Sequence, residues 1–138
     1  MAITFSVPGD PVPQPRHRIT ARGPFAHAYI PKKHAIHAYR DAIAAAARDA
    51  GATPTTHEPI TLFIDLIFKR PKSHYNKAGL KADAPILPRP DVSNCQKGIE
   101  DALNGIAWVD DRQIGTAIVK KVFGTEARTL VTIKCENT

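Results

Sequence analysis

The chain has 138 residues, 43% hydrophobic and 23% charged, a balance that supports one buried core and argues against wholesale disorder. Nineteen Lys and Arg against 13 Asp and Glu leave a formal charge of +6, which favours a polyanionic partner, nucleic acid first. No stretch approaches the ~20 apolar residues of a membrane helix, no basic-then-apolar leader opens the chain, and Cys95 and Cys135 match neither a disulfide framework nor a zinc pattern, so a cytoplasmic protein is expected.

Ile3, Phe5 and Val7 alternate with Ala2, Thr4 and Ser6, the two-residue period of a strand with one buried face, ending at Pro8-Gly9. From Asp10 to Pro31 the chain carries Pro11, Pro13, Pro15 and Pro24 among Arg16, Arg18 and Arg22, with no acid between Asp10 and Asp41. This reads as a long basic loop, and loops of that length are more often functional than not. Pro31 suits a first helical turn, and Ile36, Tyr39, Ile43, Ala46 and Ala47 recur at helical spacing until Gly51, predicting a helix from about Lys32 to Ala50.

The run Ile60–Phe68 is apolar on both alternating faces and reads as a central strand. A second basic loop, Lys69 to Arg89, sets Lys69, Arg70, Lys72, Lys77, Lys81 and Arg89 against Asp83 alone and is expected to be mobile with a short helix. Ser93-x-x-Gln96 matches a capping box; Cys95, Ile99, Ala102 and Leu103 follow on one helical face, and Asn104-Gly105 closes the helix. Ile106–Val109 is short and apolar. Ile114–Phe123 and Arg128–Cys135 read as a hairpin turning at Gly124-Thr125. The expected fold is α/β of the α+β type: a single domain over residues 1–138 with a mixed β-sheet packed by two main helices.

Acids are scarce, so their clustering matters: Asp91, Glu100, Asp101, Asp110 and Asp111 fall within 21 residues. Asp91 precedes the second helix and Asp110-Asp111 follows it; an antiparallel return would bring Asp91 and Asp111 together as a divalent-metal site. The same residues also suit exposed turns, which favour Asp for local hydrogen-bonding reasons. Lys97, one turn into the helix, is either a phosphate contact in that pocket or a solvated partner of Asp101. Arg16, Arg18 and Arg22, with Lys32 and Lys33 and then Lys69, Arg70 and Lys72, are candidate nucleic-acid contacts on the two basic loops. His34 and His37 lack a third ligand for zinc. Trp108 is expected to pack in the core or an interface.

Taken together, Arg89-Pro90-Asp91-Val92-Ser93-Asn94-Cys95-Gln96-Lys97, Glu100-Asp101-Ala102-Leu103-Asn104-Gly105 and Trp108-Val109-Asp110-Asp111-Arg112-Gln113-Ile114 resemble the RusA family of Holliday junction resolvases. Pro11-Val12-Pro13-Gln14-Pro15-Arg16 and Tyr29-Ile30-Pro31-Lys32-Lys33 are similar to its opening segment. The resemblance implies a homodimeric, Mg²⁺-dependent endonuclease, with Mn²⁺ as a substitute, that nicks four-way DNA junctions symmetrically. It implies metal binding by Asp91, Asp110 and Asp111 and a catalytic role for Asp91, Asp111 and Lys97. The family's usual second aspartate is Ser93 here, which keeps helix-start chemistry but removes a negative charge. Two other readings stand beside it: a nuclease for flaps or other branched DNA with the same chemistry, and a non-catalytic junction-binding protein.

Overall fold

In the computed structural model, residues 2–15, 18–20 and 27–136 are described. Strand β1 (Ala2–Pro8) is followed by a short hairpin of β2 (Arg18–Thr20) and β3 (His27–Tyr29), so the first basic segment is not wholly loop. Helix α1 (Ala35–Asp49) leads to β4 (Ile60–Lys69). A 3₁₀ turn (Lys72–His74) and the two-residue strands β5 (Tyr75–Asn76) and β6 (Gly79–Leu80) then give the second basic segment structure of its own. Helix α2 (Val92–Leu103), a 3₁₀ turn (Asp111–Gln113), β7 (Ile114–Gly124) and β8 (Arg128–Cys135) complete the chain.

The main sheet has the order β1-β8-β4-β7, with β4 parallel to β7 and antiparallel to β8. The expected hairpin of the last two strands is therefore corrected: both strands form, but β4 lies between them. Its residues explain the insertion. Leu62, Ile64 and Leu66 are fully buried on one face while Phe63 and Ile67 are half-buried on the other, and an interior position covers both faces better than an edge does. The connection after β7 crosses close to β4: a Cβ on Gly124 would stand 2.7 Å from Ile67 Cγ2, and the Arg70 amide donates to the Gly124 carbonyl.

Both helices cover one face of the sheet, α1 against β1 and α2 against β7, and they pack on each other. Ile36, Ile43 and Ala47 from α1 meet Cys95, Ile99 and Leu103 from α2 over Phe5, Val7, Leu62, Ile64 and Val131. Helix α1 starts three residues later than its apolar spacing predicts, because His34 is extended (φ −67°, ψ 140°) and its Nδ1 accepts from the Ile36 amide at 3.0 Å. Ile106–Val109 forms no strand; Trp108 makes isolated bridges with Thr55 and Asn104. Strand β7 is left as an edge of the sheet, with Ile118 and Val122 exposed.

Candidate functional site

Asp91 is the N-cap of α2, in the extended conformation (φ −69°, ψ 134°) that a cap requires. The predicted capping box at Ser93 is thus displaced: Ser93 lies inside the first turn, and Gln96 donates to Glu100 at 2.7 Å instead. The Asp91 carboxylate makes no capping hydrogen bond and stays exposed. Beneath it, the Pro90 carbonyl accepts from Lys121 Nζ at 3.0 Å, tying the start of α2 to the far part of β7.

A cavity of about 540 Å³ opens here, lined by Asp91, Asn94, Arg89, Gln14 and His34. Gln14 builds one wall. Its amide donates to the Asn94 carbonyl at 3.1 Å, its buried side chain donates to Asp101 Oδ2 at 3.0 Å, and it accepts from Arg40, which itself pairs with Asp101 at 3.2 Å. This network fastens the stem of the first basic segment beside Asp91. It escaped sequence reasoning, whose only available signal was a glutamine held between Pro13 and Pro15.

Arg16 and Arg22 lie outside the described residues, and Arg18 opens β2. Lys32 and Lys33 form an exposed turn just ahead of α1, near the same end of the molecule. Lys69 and Lys72 are exposed at the end of β4 and just beyond it. Arg70 is already engaged: its guanidinium lies 4.1 Å over the Phe123 ring and donates to the Pro85 carbonyl at 2.7 Å. His37 bonds to the Pro31 carbonyl, so both helix histidines hold backbone.

At the other end of α2, Asp111 is half-buried and accepts from the indole Nε1 of fully buried Trp108 at 2.7 Å. Asp110 caps the 3₁₀ turn. Its carboxylate takes the Arg112 amide at 2.9 Å and the Arg112 guanidinium at 3.0–3.1 Å, and these bonds hold it below the usual carboxylate range. Gln113 closes the corner, accepting from the Asp110 amide while donating to Thr55 Oγ1 and the Glu58 carbonyl.

The antiparallel return expected to bring Asp91 and Asp111 together does not occur within one chain. Helix α2 has 12 residues, a rise of ~18 Å, and the two aspartates stand at its opposite ends. The sheet agrees. Asp111 adjoins the start of β7, where Ile114 faces Ile60, whereas Asp91 adjoins Lys121, which faces Leu66. The intervening segment turns on itself: Gly105 adopts φ +82° and donates to the Trp108 carbonyl at 2.7 Å, and Val109 donates to the Thr55 carbonyl. Burying the Trp108 ring directs this segment under the start of β4 instead of back along α2. Among the described residues, no three His, Cys, Asp or Glu side chains gather as a metal site.

Lys97 is exposed and shares a shallow cavity of about 250 Å³ with Ser93, Gln96 and Glu100, separate from the one that Asp91 lines. Asp101 is held by Arg40 and Gln14 rather than by Lys97. One protomer therefore offers two carboxylate corners, Asp91 with Arg89 and Asn94 at one end and Asp111 with Asp110 at the other. Each presents oxygen donors of the kind that hard divalent cations take.

Two comparisons bear on this arrangement. The family model described as "Endodeoxyribonuclease RusA" matches residues 8–134. A relative from Bacillus subtilis (strain 168), "Uncharacterized protein YqaN", is 31% identical over 137 residues, spanning 96% of this chain and 95% of its own.

Proposed function

The chain belongs to the RusA family of endodeoxyribonucleases, and from that premise we propose that it acts as a homodimeric Mg²⁺-dependent resolvase, one endonuclease domain over residues 1–138, that cuts four-way DNA junctions by paired symmetric nicks. The observation that carries the dimeric reading is the separation of Asp91 from Asp111 along α2. Asp91 is the one aspartate at its corner, and two corners brought face to face give a single ion both Asp91 and Asp111, the one or two carboxylates that Mg²⁺ takes beside water and phosphate.

Strand β7 offers the means. It is an edge strand whose approach carries Asp110 and Asp111 and whose far half carries Lys120 and Lys121. Paired antiparallel with its own copy about Thr116, it sets Ile114 opposite the partner's Ile118 and Asp111 opposite the partner's Lys121, acid end against basic end. Lys121 already holds Pro90, so this register delivers Asp111 to the neighbourhood of the partner's Asp91. Two equivalent sites then lie about one two-fold axis, matching the approximate symmetry of a four-way junction.

On this reading Asp91 and Asp111 hold the ion, Asp110 shapes the Asp111 corner through its capping bonds, and Lys97 meets phosphate or the leaving oxygen. The chemistry such an ion supplies when bound is water activation and charge neutralisation at phosphorus. Arg16, Arg18, Arg22, Lys32, Lys33, Lys69 and Lys72 contact the DNA backbone, which holds the junction arms over the site. A synthetic mobile junction, a flap and a linear duplex incubated with protein and Mg²⁺ test the reading. Paired symmetric nicks in the junction are expected; cutting confined to flaps, or binding without nicks, contradicts it.

A further inference from the structure

A second cavity, of about 530 Å³, lies beneath the segment that connects β4 to α2, and none of Asp91, Asp110 and Asp111 lines it. Its floor is apolar, formed by buried Phe68 and half-buried Phe123, with Leu87 at the mouth, 56% exposed. Two side chains brace the Phe123 wall: Arg70 stacks over the ring, and the His74 ring stands perpendicular to it with centroids 5.6 Å apart. Pro71, Pro85, Pro88 and Pro90 also line the cavity, so much of its wall has a fixed φ and little freedom to lose on binding. The volume falls in the range of small-molecule pockets.

Cations sit at this cavity. Lys69 and Arg89 line it together with a single acid, Asp10, one of whose oxygens accepts from the Lys69 amide at 3.1 Å. Arg89 and Pro90 also line the Asp91 cavity, so an occupant here lies next to the candidate nuclease site. An apolar cavity with aromatic side chains in its wall, phosphate-binding charge and a carboxylate at its edge suits a nucleobase better than an aliphatic ligand. Ile86, 87% exposed beside the mouth, offers apolar surface to whatever the base leaves behind.

We propose that this cavity receives one unpaired base from the branch point of the DNA substrate, stacked on the His74 ring beside Phe123, with its flanking phosphates met by Lys69 and Arg89. The inference rests on the junction reading above and deepens it. Displacing a base costs least where the duplex is already interrupted, so the pocket favours branch points over intact helix.

Binding without metal to a junction carrying an abasic nucleotide, placed in turn at each branch-point position, tests the idea. Wild-type protein is expected to bind one abasic junction roughly ten-fold more weakly than the intact one, the order of one lost base–aromatic stack. His74→Ala, and independently Leu87→Ala, which removes only an exposed side chain, are expected to bind both junctions alike. Wild-type indifference to every abasic position, or full discrimination retained by both variants, overturns the pocket while leaving junction resolution intact. A wild-type protein that binds the intact junction no better than duplex overturns the junction reading, and the pocket with it.

Discussion

The buried indole of Trp108 donates to Asp111 Oδ1 at 2.7 Å, so a core side chain aims a candidate metal carboxylate. Trp108→Phe keeps much of the apolar bulk and removes the donor. Loss of a hydrogen bond to a half-buried carboxylate, together with the small cavity left at a fully buried position, is expected to cost roughly 2–4 kcal/mol of stability. Nicking of a junction is expected to fall at least roughly ten-fold with binding unchanged, because Asp111 loses its orientation rather than its charge. Denaturant unfolding and single-turnover cleavage measure the two effects; unaltered cleavage contradicts the orienting role.

Ser93 occupies the first turn of α2, two residues past Asp91, and faces solvent. Ser93→Asp adds a negative charge near the positive end of the helix and near the proposed ion. The expected result is a lower Mg²⁺ concentration at half-maximal cleavage, together with a few tenths of a kcal/mol of added stability. An unchanged metal titration contradicts a metal pocket at this end of α2.

Lys32 and Lys33 form an exposed turn ahead of α1, near the Asp91 cavity. If they meet phosphates, Lys32→Ala with Lys33→Ala weakens junction binding and lowers the slope of log affinity against log salt by roughly one to two. Equal slopes for variant and wild type remove them from the interface.

Burial pushes the Cys95 thiol from its ordinary 9.0 to about 11 and the Tyr39 phenol from 10.0 to about 12, the latter despite its bond to buried Thr129. Both groups are favoured neutral in the folded chain. Their contribution to stability is complete below about pH 9 and is lost as pH rises through 11 to 12. Alkaline unfolding is expected in that window, and alkylation of the native protein at pH 8 is expected at half-buried Cys135 before Cys95. Equal labelling of the two thiols contradicts this.

Much of the fold was legible because alternation and helical spacing report burial directly: Ile3, Phe5 and Val7, the Ile60–Phe68 run, and Ile36, Tyr39 and Ile43 all face where their periods place them. Strand order was not legible. Nothing local in Ile114–Phe123 or Arg128–Cys135 records that β4 comes between them; that follows from the two-faced apolar character of β4 and the room that Gly124 leaves beside Ile67. The site divides the same way. Asp91, Lys97, Asp110 and Asp111 could be picked out as candidates from the sequence, but not the distance between the first and last. That distance depends on where Trp108 is buried, a tertiary fact that draws Asp111 to Thr55 and the start of β4. The Gln14–Arg40–Asp101 network was hidden because its members are 26 to 87 residues apart in sequence.

The sharpest test is a mixing experiment with Asp91→Asn and Asp111→Asn, each inactive alone on a four-way junction. In a mixed dimer with sites shared between protomers, one site holds both aspartates and the other neither, so mixing restores single nicks where neither variant alone gives any. A mixture that stays silent while wild-type protein cuts the same junction contradicts a site built from Asp91 of one protomer and Asp111 of its partner.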